Sequence, residues 1–506
     1  MKAQRGDRHT VTDNATVMTV VAIPDVVKHI FMEDTPSVNP TSETPPAAME
    51  ASIPPGLSWD DFSDIDRYKR LAAYNVYFII DILFKTVPGL ADLDIRNGKS
   101  LSAPPAPHIM PSGEDFKTLY PMLGITPVDE TTIGGNLQVL GIMLQQQGLD
   151  SEFHQKILGL GKRKIPCVGD NMTTTRLEAA RNLRIRDPNG YERLDWLVIV
   201  PGWFHILLNL GMATFDSHRG GDKTMSFIRD ITLLGRTGLT MNMRKKRPDF
   251  FAMDEFLRHK LFALVRSLWM HYSSAENLDD LVTWVKSAPE STLRENALRI
   301  HQERMSSEAL EILSESNETD EVLTNTILQS RDLLQFYSTR RAIQTGNVGL
   351  LEDLLPRLLI YFKGHDNHNY AQGLAECMHW MRYDAPPGMS WQAHAEVSPA
   401  IPILGQLAEK VEDRLIQLKR TRVHKEIGAE LDISRLATRH MAHQIHQLHP
   451  DRILDEPKDK AKDYVYLGEE PLMDTKWLDN LNKARQDFRS IKSTKQEYRP
   501  TETQEE

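Results

Sequence analysis

The sequence predicts a small α/β centre followed by a large, mainly α-helical remainder. Two short apolar runs, Lys164–Gly169 and Trp196–Val200, are typical of buried strands. Thr173–Arg184 and Trp203–His218 follow them with helical patterning, so the order is strand, helix, strand, helix. Because a helical crossover returns the chain in the same direction, we expect the two strands to be parallel neighbours.

After about residue 250 the strand signals nearly vanish and helical periodicity predominates. Gly, Pro and Asn interrupt that periodicity and separate the predicted helices. These helices are Glu255–Tyr272, Leu278–Ser287, Ser291–Glu315, Glu321–Thr345, Val348–Phe362, Tyr370–Tyr383 and Ile401–Lys419.

Composition divides the chain into six regions. The predicted α/β core segment is 161–250, and the helical region that follows it is 251–450. The other four are an N-terminal strand segment (1–33), a disordered Pro/Ser/Thr-rich linker (34–58), a helical segment (59–160) and a charged, partly disordered tail (451–506).

The composition of the 506 residues also excludes some classes of protein. With 40% apolar and 26% charged residues, the chain is neither wholly disordered nor fibrous. Two cysteines cannot form a disulfide framework. Met1–His9 lacks the apolar core of a secretory signal. No apolar window is long enough to cross a bilayer. We therefore expect an intracellular protein, nuclear or cytoplasmic, with no membrane partner. The net charge of -10 argues against indiscriminate nucleic-acid binding, although it is compatible with a local basic groove.

Asp170 is the sharpest candidate site residue, because it directly follows the first predicted strand. An acid at the C-terminal end of such a strand lies where α/β folds place reactive groups. A carboxylate there can hold Mg²⁺, so Asp170 is a candidate catalytic residue and metal ligand. The alternative is that Asp170 only caps the next helix, with Gly169 supplying a tight turn.

Several other residues are candidate phosphate contacts. His205 follows the second predicted strand and could bind a metal, contact a phosphate or transfer a proton, whereas a buried core histidine is the alternative. The basic candidates are Arg176 and the run Arg244, Lys245, Lys246 and Arg247. For these side chains, a solvated helix face is the alternative.

Two histidine-containing segments carry weaker signals. His440, His443, His446 and His449 recur every third residue, but only adjacent pairs share a helix face and no cysteine is near them to complete a zinc site. His365–Tyr370 predicts a turn that leads into a helix. The sequence contains no P-loop, Rossmann fingerprint, nucleophile elbow or zinc-finger spacing.

Several of these motifs together resemble a fungal protein family labelled domain of unknown function 6589. The resemblance rests on Gly169-Asp170, Pro201–His205, Glu255–His259 and His368–Ala371 in that order, and it extends from about Leu119 to Ala437. It implies a mobile-element-associated protein with a ribonuclease H-like, transposase-related core. In such cores an acid at the end of a central strand is one of three metal ligands for DNA cleavage. Asp170 would be the second of these acids, and His205 a structural or phosphate-facing histidine.

The sequence also departs from the pattern of that family. Its members carry an early Asp-Asn pair, whereas this chain begins close to Arg5-Gly6-Asp7, which resembles the residues just after the pair, and no apolar strand precedes Asp13-Asn14. Members also carry an acidic Glu-His segment beyond the His-Asn-Tyr motif, whereas here Trp380–Tyr383 leads almost directly to Ser390-Trp391. The resemblance therefore implies an incomplete ribonuclease H-like layer in which Asp170 has lost its partner acids.

The sequence leaves three functions open. The favoured one is a mobile-element-derived protein that is catalytically inactive and retains a surface for nucleic acid, with DNA as the expected partner, or for protein. The second is an active Mg²⁺-dependent nuclease or transposase-like enzyme, which needs at least two more carboxylates beside Asp170; Asp195, Asp216 and Glu255 are the candidates. The third is an unrelated helical interaction scaffold, which predicts no strand at either apolar run.

Overall fold

The architecture comes from a computed structural model of the chain. It describes residues 56–90, 102–106, 109, 123–124, 126–160, 164–221, 225–243, 248–316, 318–384 and 429–493. The predicted N-terminal strand segment, most of the predicted linker and the predicted helix Ile401–Lys419 lie outside the described residues.

The described residues form a mainly helical structure with one small sheet. Its strands are β1 (Ile165–Gly169) and β2 (Leu197–Pro201). The helices are α1 (Ile65–Thr86), α2 (Ile133–Gln146), α3 (Glu152–Gly159), α4 (Asn171–Leu183), α5 (Trp203–Ser217), α6 (Phe227–Leu234), α7 (Thr237–Met243), α8 (Phe250–Ser273), α9 (Leu278–Ser287), α10 (Glu290–Arg304), α11 (Ser307–Glu315), α12 (Glu321–Thr345), α13 (Val348–Gly364), α14 (His368–His379), α15 (Ala429–Ala442), α16 (Tyr464–Met473) and α17 (Lys476–Ser493).

The two strands form the predicted α/β centre. They pair in parallel, from Ile165 opposite Leu197 to Gly169 opposite Pro201. Helices α4 and α14 both pack against β2, and α2 packs against α4. The scaffold hypothesis is therefore wrong about the two apolar runs, since both are strands. A sheet of two strands is small for an α/β domain, so the ribonuclease H-like layer stays a prediction.

Two long helices form the centre of the helical remainder. Helices α8 and α12 bury residues on all sides, as expected of helices in the middle of a large core. Asp320 caps α12 at its start by accepting a hydrogen bond from the Leu323 N–H, and Gly346 ends the helix in the left-handed conformation. Helix α5 packs against both α8 and α12, which joins the α/β centre to the helical core.

Local signals predict most of these helices correctly. The bounds predicted for α9 and α12 are confirmed. The single helix predicted over Ser291–Glu315 is wrong, because Ser306 accepts a hydrogen bond from the Ala309 N–H and starts α11 as a separate helix. The charged region after Pro450 contains two helices, α16 and α17, and α16 packs closely on α13.

The structure also bears on the cysteines and on the membrane prediction. Cys167 and Cys377 are both free thiols. Among the described residues, no helix combines the length and the apolar character that crossing a membrane requires.

Candidate functional site

The carboxyl ends of the two strands form a common edge, which we call the strand-end site. The Gly202 N–H donates to the Gly169 carbonyl at 2.8 Å, which fixes the start of α5 beside the start of α4. Gly169 is required here because a Cβ at this position would lie 2.8 Å from the Thr173 side chain. Residues at the first turns of α4 and α5 are therefore held close together.

Asp170 caps α4 at this edge. Its Oδ1 accepts a hydrogen bond from the Thr173 N–H at 2.7 Å, and the side chain is half-buried. The capping interpretation made from the sequence is therefore confirmed. A capping carboxylate still has a second oxygen and a charge that can act on its neighbours.

His205 lies beside Asp170 in the first turn of α5. Burial lowers the pKa of His205 below its usual value, while the negative charge of Asp170 opposes that shift. The imidazole is therefore mostly neutral near pH 7 and can both donate and accept a hydrogen bond.

Tyr370 joins the strand-end site from the distant helix α14. Its hydroxyl accepts a hydrogen bond at 2.7 Å from the Asn209 side chain, which also donates to the His205 carbonyl. Burial, together with the charge of Asp170, raises the pKa of Tyr370 to about 12, so the phenol stays protonated. Sequence analysis predicted the turn and the helix here but gave Tyr370 and Asn209 no role. The sequence signal that could have identified Tyr370 is the His-Asn-Tyr motif, which is one of the motifs that carry the family resemblance.

The donor set of this site does not fit Mg²⁺. That ion prefers carboxylate, phosphate and water oxygens, whereas the groups that interact with Asp170 among the described residues include an imidazole, a phenol and a backbone N–H. The three carboxylates named as candidate partners of Asp170 make other contacts. Asp195 pairs with Arg193 at 3.0 Å, Asp216 with Arg219 at 3.5 Å, and Glu255 with Arg236 at 2.5 Å.

Another cluster has the spacing of a metal site, but a protein cation already occupies it. Among the described residues, Glu255, His259 and Asp432 place three possible ligand atoms within 4.8 Å of one another. The Arg236 guanidinium contacts both carboxylates, at 2.5 Å from Glu255 and 2.6 Å from Asp432. Its positive charge compensates the two acids, so this cluster is an ion-pair network of the helical core.

The basic candidates lie in two places. The Arg176 guanidinium donates to the Thr131 carbonyl, which ties α4 to the segment before α2. Residues Arg244, Lys245, Lys246 and Arg247 lie outside the described residues. The chain on either side of them is described, and there the Asp249 N–H donates to the Asn242 side chain at 2.8 Å.

An aromatic contact links the start of α8 to the strand-end site. The ring of Phe250, three residues after Arg247, meets the ring of Phe204 edge-on with centroids 5.1 Å apart. Phe204 directly precedes His205 on α5. The first turns of α5 and α8, about 45 residues apart in sequence, therefore lie together in the fold.

The four spaced histidines do not form a metal site. His440 and His446 are buried and face the hydroxyl of Ser267, whereas His443 is exposed. The Lys260 amine lies 2.9 Å from Nε2 of His440. A cationic neighbour at this distance disfavours a metal ion on that nitrogen.

A cavity of about 580 Å³ lies at the opposite end of β2. Its walls include Lys164 and Leu197 from the α/β centre and Trp477 from α17. Arg181 and Arg485 in its lining are paired with Glu178 and Glu376. None of the strand-end residues described above lines it, so the cavity and the strand-end site are separate.

Comparison with known proteins finds one family. The family described as "Family of unknown function (DUF6589)" matches residues 54–390, which is more than half of the chain. No curated protein and no solved structure matches the sequence.

Proposed function

Because this chain belongs to the DUF6589 family, whose description names no activity, we propose a function from its own geometry. The protein binds nucleic acid at the strand-end site and does not cleave it. In this proposal it is a fungal, mobile-element-derived relative of transposases with an incomplete ribonuclease H-like layer, and it acts on DNA in the nucleus or cytoplasm.

The observation that carries the proposal is the contact between Phe204 and Phe250. It brings the start of α8, which follows the run Arg244–Arg247 by three residues in sequence, to the helix that carries His205. Four clustered basic side chains are the kind of group that neutralises phosphates and gives salt-dependent binding.

Helix dipoles at the same edge support phosphate binding. Helices α4, α5, α8 and α14 all begin around it, each with the positive end of its dipole. Asp170 and Asp249 cap α4 and α8, whereas the starts of α5 and α14 have no side-chain cap. Backbone N–H groups at such helix starts bind phosphate oxygens.

The donor set supports the loss of cleavage. A two-metal nuclease needs several carboxylates around one position, because two cations about 3.5–4 Å apart require more than one acid. Among the described residues, the side chains that act electrostatically on His205 and Tyr370 include one carboxylate, that of Asp170. The order of strand, acid, helix and parallel strand supports the relation to transposases only at the level of fold.

Fluorescence anisotropy with labelled DNA tests the binding. We expect the affinity for DNA to fall steeply between 50 and 200 mM salt. Replacing all four basic residues of the run by Gln should make the slope of log K against log salt less negative by about 3–4. The matched control replaces four exposed cations elsewhere, Lys69, Arg294, Arg299 and Lys476, by Gln. An equal loss of DNA affinity in both variants would contradict binding at a local site.

Incubation of the same DNA with Mg²⁺ tests the absence of cleavage. We expect no metal-dependent product from the native chain. A product that disappears in Asp170→Asn would overturn this part of the proposal and establish the active nuclease in its place.

A further inference from the structure

The outer edge of β2 presents backbone groups to which a further strand can bind. The Ile165 N–H donates to the Trp196 carbonyl and Ile165 lies opposite Leu197, so the even-numbered residues of β2 bond to β1. The Ile199 N–H and the carbonyls of Leu197 and Ile199 therefore point away from β1. Among the described residues these three groups have no hydrogen-bond partner. An edge with such donors and acceptors is a template for strand pairing.

The cavity of about 580 Å³ lies along this edge, between two helices. Its lining includes 197–199 of β2 together with residues of α4 and α14. On one face of the sheet Leu197 shares an apolar cluster with Ala180 of α4, and on the other face Val198 shares one with Cys377 of α14. A strand added at this edge would therefore be covered on both faces.

The charges that line the cavity compensate one another. Arg181 pairs with Glu178 and Arg485 with Glu376, so neither cation requires an anionic occupant. The charged side chains of the lining comprise three cations and three acids: Lys164, Arg181, Arg485, Glu178, Asp195 and Glu376. The remaining walls include apolar side chains, so an uncharged, apolar segment suits this space.

The chain itself contains a segment of that kind, Ala15–Ile23, which lies outside the described residues. Its sequence, Ala-Thr-Val-Met-Thr-Val-Val-Ala-Ile, has no charge and is rich in β-branched residues, and Pro24 follows it. Valine, methionine and isoleucine occur at both odd and even positions, which is typical of strands covered on both faces.

The described chain begins beside the cavity. The Leu57 N–H donates to the Asn482 side chain at 3.0 Å, and the Leu57 carbonyl accepts from it at 2.9 Å. Leu481, the neighbour of Asn482 on α17, lines the cavity. The 32 residues from position 24 to position 55 span about 30 Å as a coil, which allows Ala15–Ile23 to reach the edge of β2.

We propose that Ala15–Ile23 binds along the outer edge of β2 as a third strand of the sheet. The Ile199 N–H then donates to a carbonyl of the added strand, and the carbonyls of Leu197 and Ile199 accept from its N–H groups. Main-chain pairing holds the segment, and its apolar side chains enter the space between α4 and α14. A third strand also brings the sheet to the size at which sheets become stable. The segment 385–428 suits this edge less, because it contains the charged predicted helix Ile401–Lys419.

Amide hydrogen exchange on the full chain tests the added strand. We expect the Ile199 N–H to exchange slowly in the native chain. Because neighbouring N–H groups of a strand point to opposite sides, either Val20→Pro or Val21→Pro removes a hydrogen bond to β2. At least one of these variants should speed exchange at Ile199 about tenfold or more, with less than a twofold change at Val198, which bonds to β1. Ser42→Pro, in the predicted linker, is the matched control and should change neither rate.

Three results would overturn the proposal. Rapid exchange at Ile199 in the native chain would show an unpaired edge. Protection that is unchanged in both proline variants would show that another segment covers the edge, and an equal effect of Ser42→Pro would show that the change is not local. Circular dichroism and the melting temperature show whether each variant is folded. Should neither proline variant fold, the double variant Val20→Gly with Val21→Gly supplies the test, because it keeps every N–H and only weakens the strand.

Discussion

Nε2 of His446 lies 2.7 Å from the hydroxyl oxygen of Ser267, and both side chains are buried. The same hydroxyl lies 3.2 Å from Nδ1 of His440. On its other side His440 meets the Lys260 amine, which pairs with Asp230 at 2.8 Å. This chain of polar groups fastens α15 and the turn after it to α8.

The first prediction is that the protein loses stability as the pH falls. Burial lowers the pKa of His440 and His446 well below 6.5, and Lys260 and Arg439 beside His440, with His271 and Arg304 beside His446, act in the same direction. In the unfolded chain both imidazoles bind protons near pH 6.5. The unfolded state therefore binds more protons below that pH, and the free energy of unfolding falls by up to about 1.4 kcal/mol per pH unit for each histidine.

Urea unfolding between pH 7.5 and pH 5 measures this effect. His446→Gln should reduce the pH slope, and the same change at the exposed His443 is the control. An unchanged slope in His446→Gln would show that His446 is not the group responsible.

The second prediction concerns the electrostatic link between Asp170 and His205. The negative charge of Asp170 raises the pKa of His205 against the effect of burial. Asp170→Asn removes that charge and keeps a capping side chain, so the pKa of His205 should fall further. NMR titration of the imidazole measures it, with Asp216→Asn at the far end of α5 as the control. A rise in the pKa of His205 in Asp170→Asn would contradict the electrostatic interaction between the two side chains.

The third prediction concerns the cap of α4. Asp170→Ala removes the acceptor for the Thr173 N–H and should destabilise the protein by about 0.5–2 kcal/mol. Asp170→Ser should retain most of the stability, because serine caps helices nearly as well. Thr175→Ala, on the exposed side of the same helix, is the control and should change stability by less than about 0.5 kcal/mol. Thermal denaturation compares the three variants.

The fourth prediction concerns the ion pair that ties the region after α15 to α12. Arg452 contacts both oxygens of Asp320, at 2.9 and 2.6 Å, and the Asp320 side chain is fully buried. Asp320→Ala removes the helix cap as well and leaves Arg452 without its partner, so it should cost about 3–5 kcal/mol. Asp455→Ala changes an exposed acid and should have little effect on urea unfolding. A loss below about 1 kcal/mol for Asp320→Ala would mean that this pair does not hold the region.

Sequence reasoning succeeded where the signal is local. Asp320 before α12 and Gly346 after it are start and stop residues that can be recognised without knowing any neighbour in space. The two short apolar runs were correctly predicted as strands, because their length and flanking residues favour strands over helices. The break at Ser306 was overlooked because the helical periodicity continues on both sides of it.

The composition of the strand-end site was predicted only in part. Asp170 and His205 each follow a strand, and this position alone made them candidates. Tyr370 is 161 residues from Asn209 in sequence, and Phe250 is 46 residues from Phe204, so no spacing rule could connect them. Their proximity depends on how α8 and α14 pack against α5 and the sheet.

The sequence by itself determined the elements, their order and the parallel pairing of the strands, because capping residues, hydrophobic periodicity and chain connectivity act over short distances. Only the tertiary structure decided which side chains meet at the ends of the strands. The half-buried imidazole of His205 and phenol of Tyr370 acquire their protonation states from desolvation and from the charge of Asp170, which packing brings beside them. Those surroundings exist only when the chain is folded, and they set the chemistry that this site can perform.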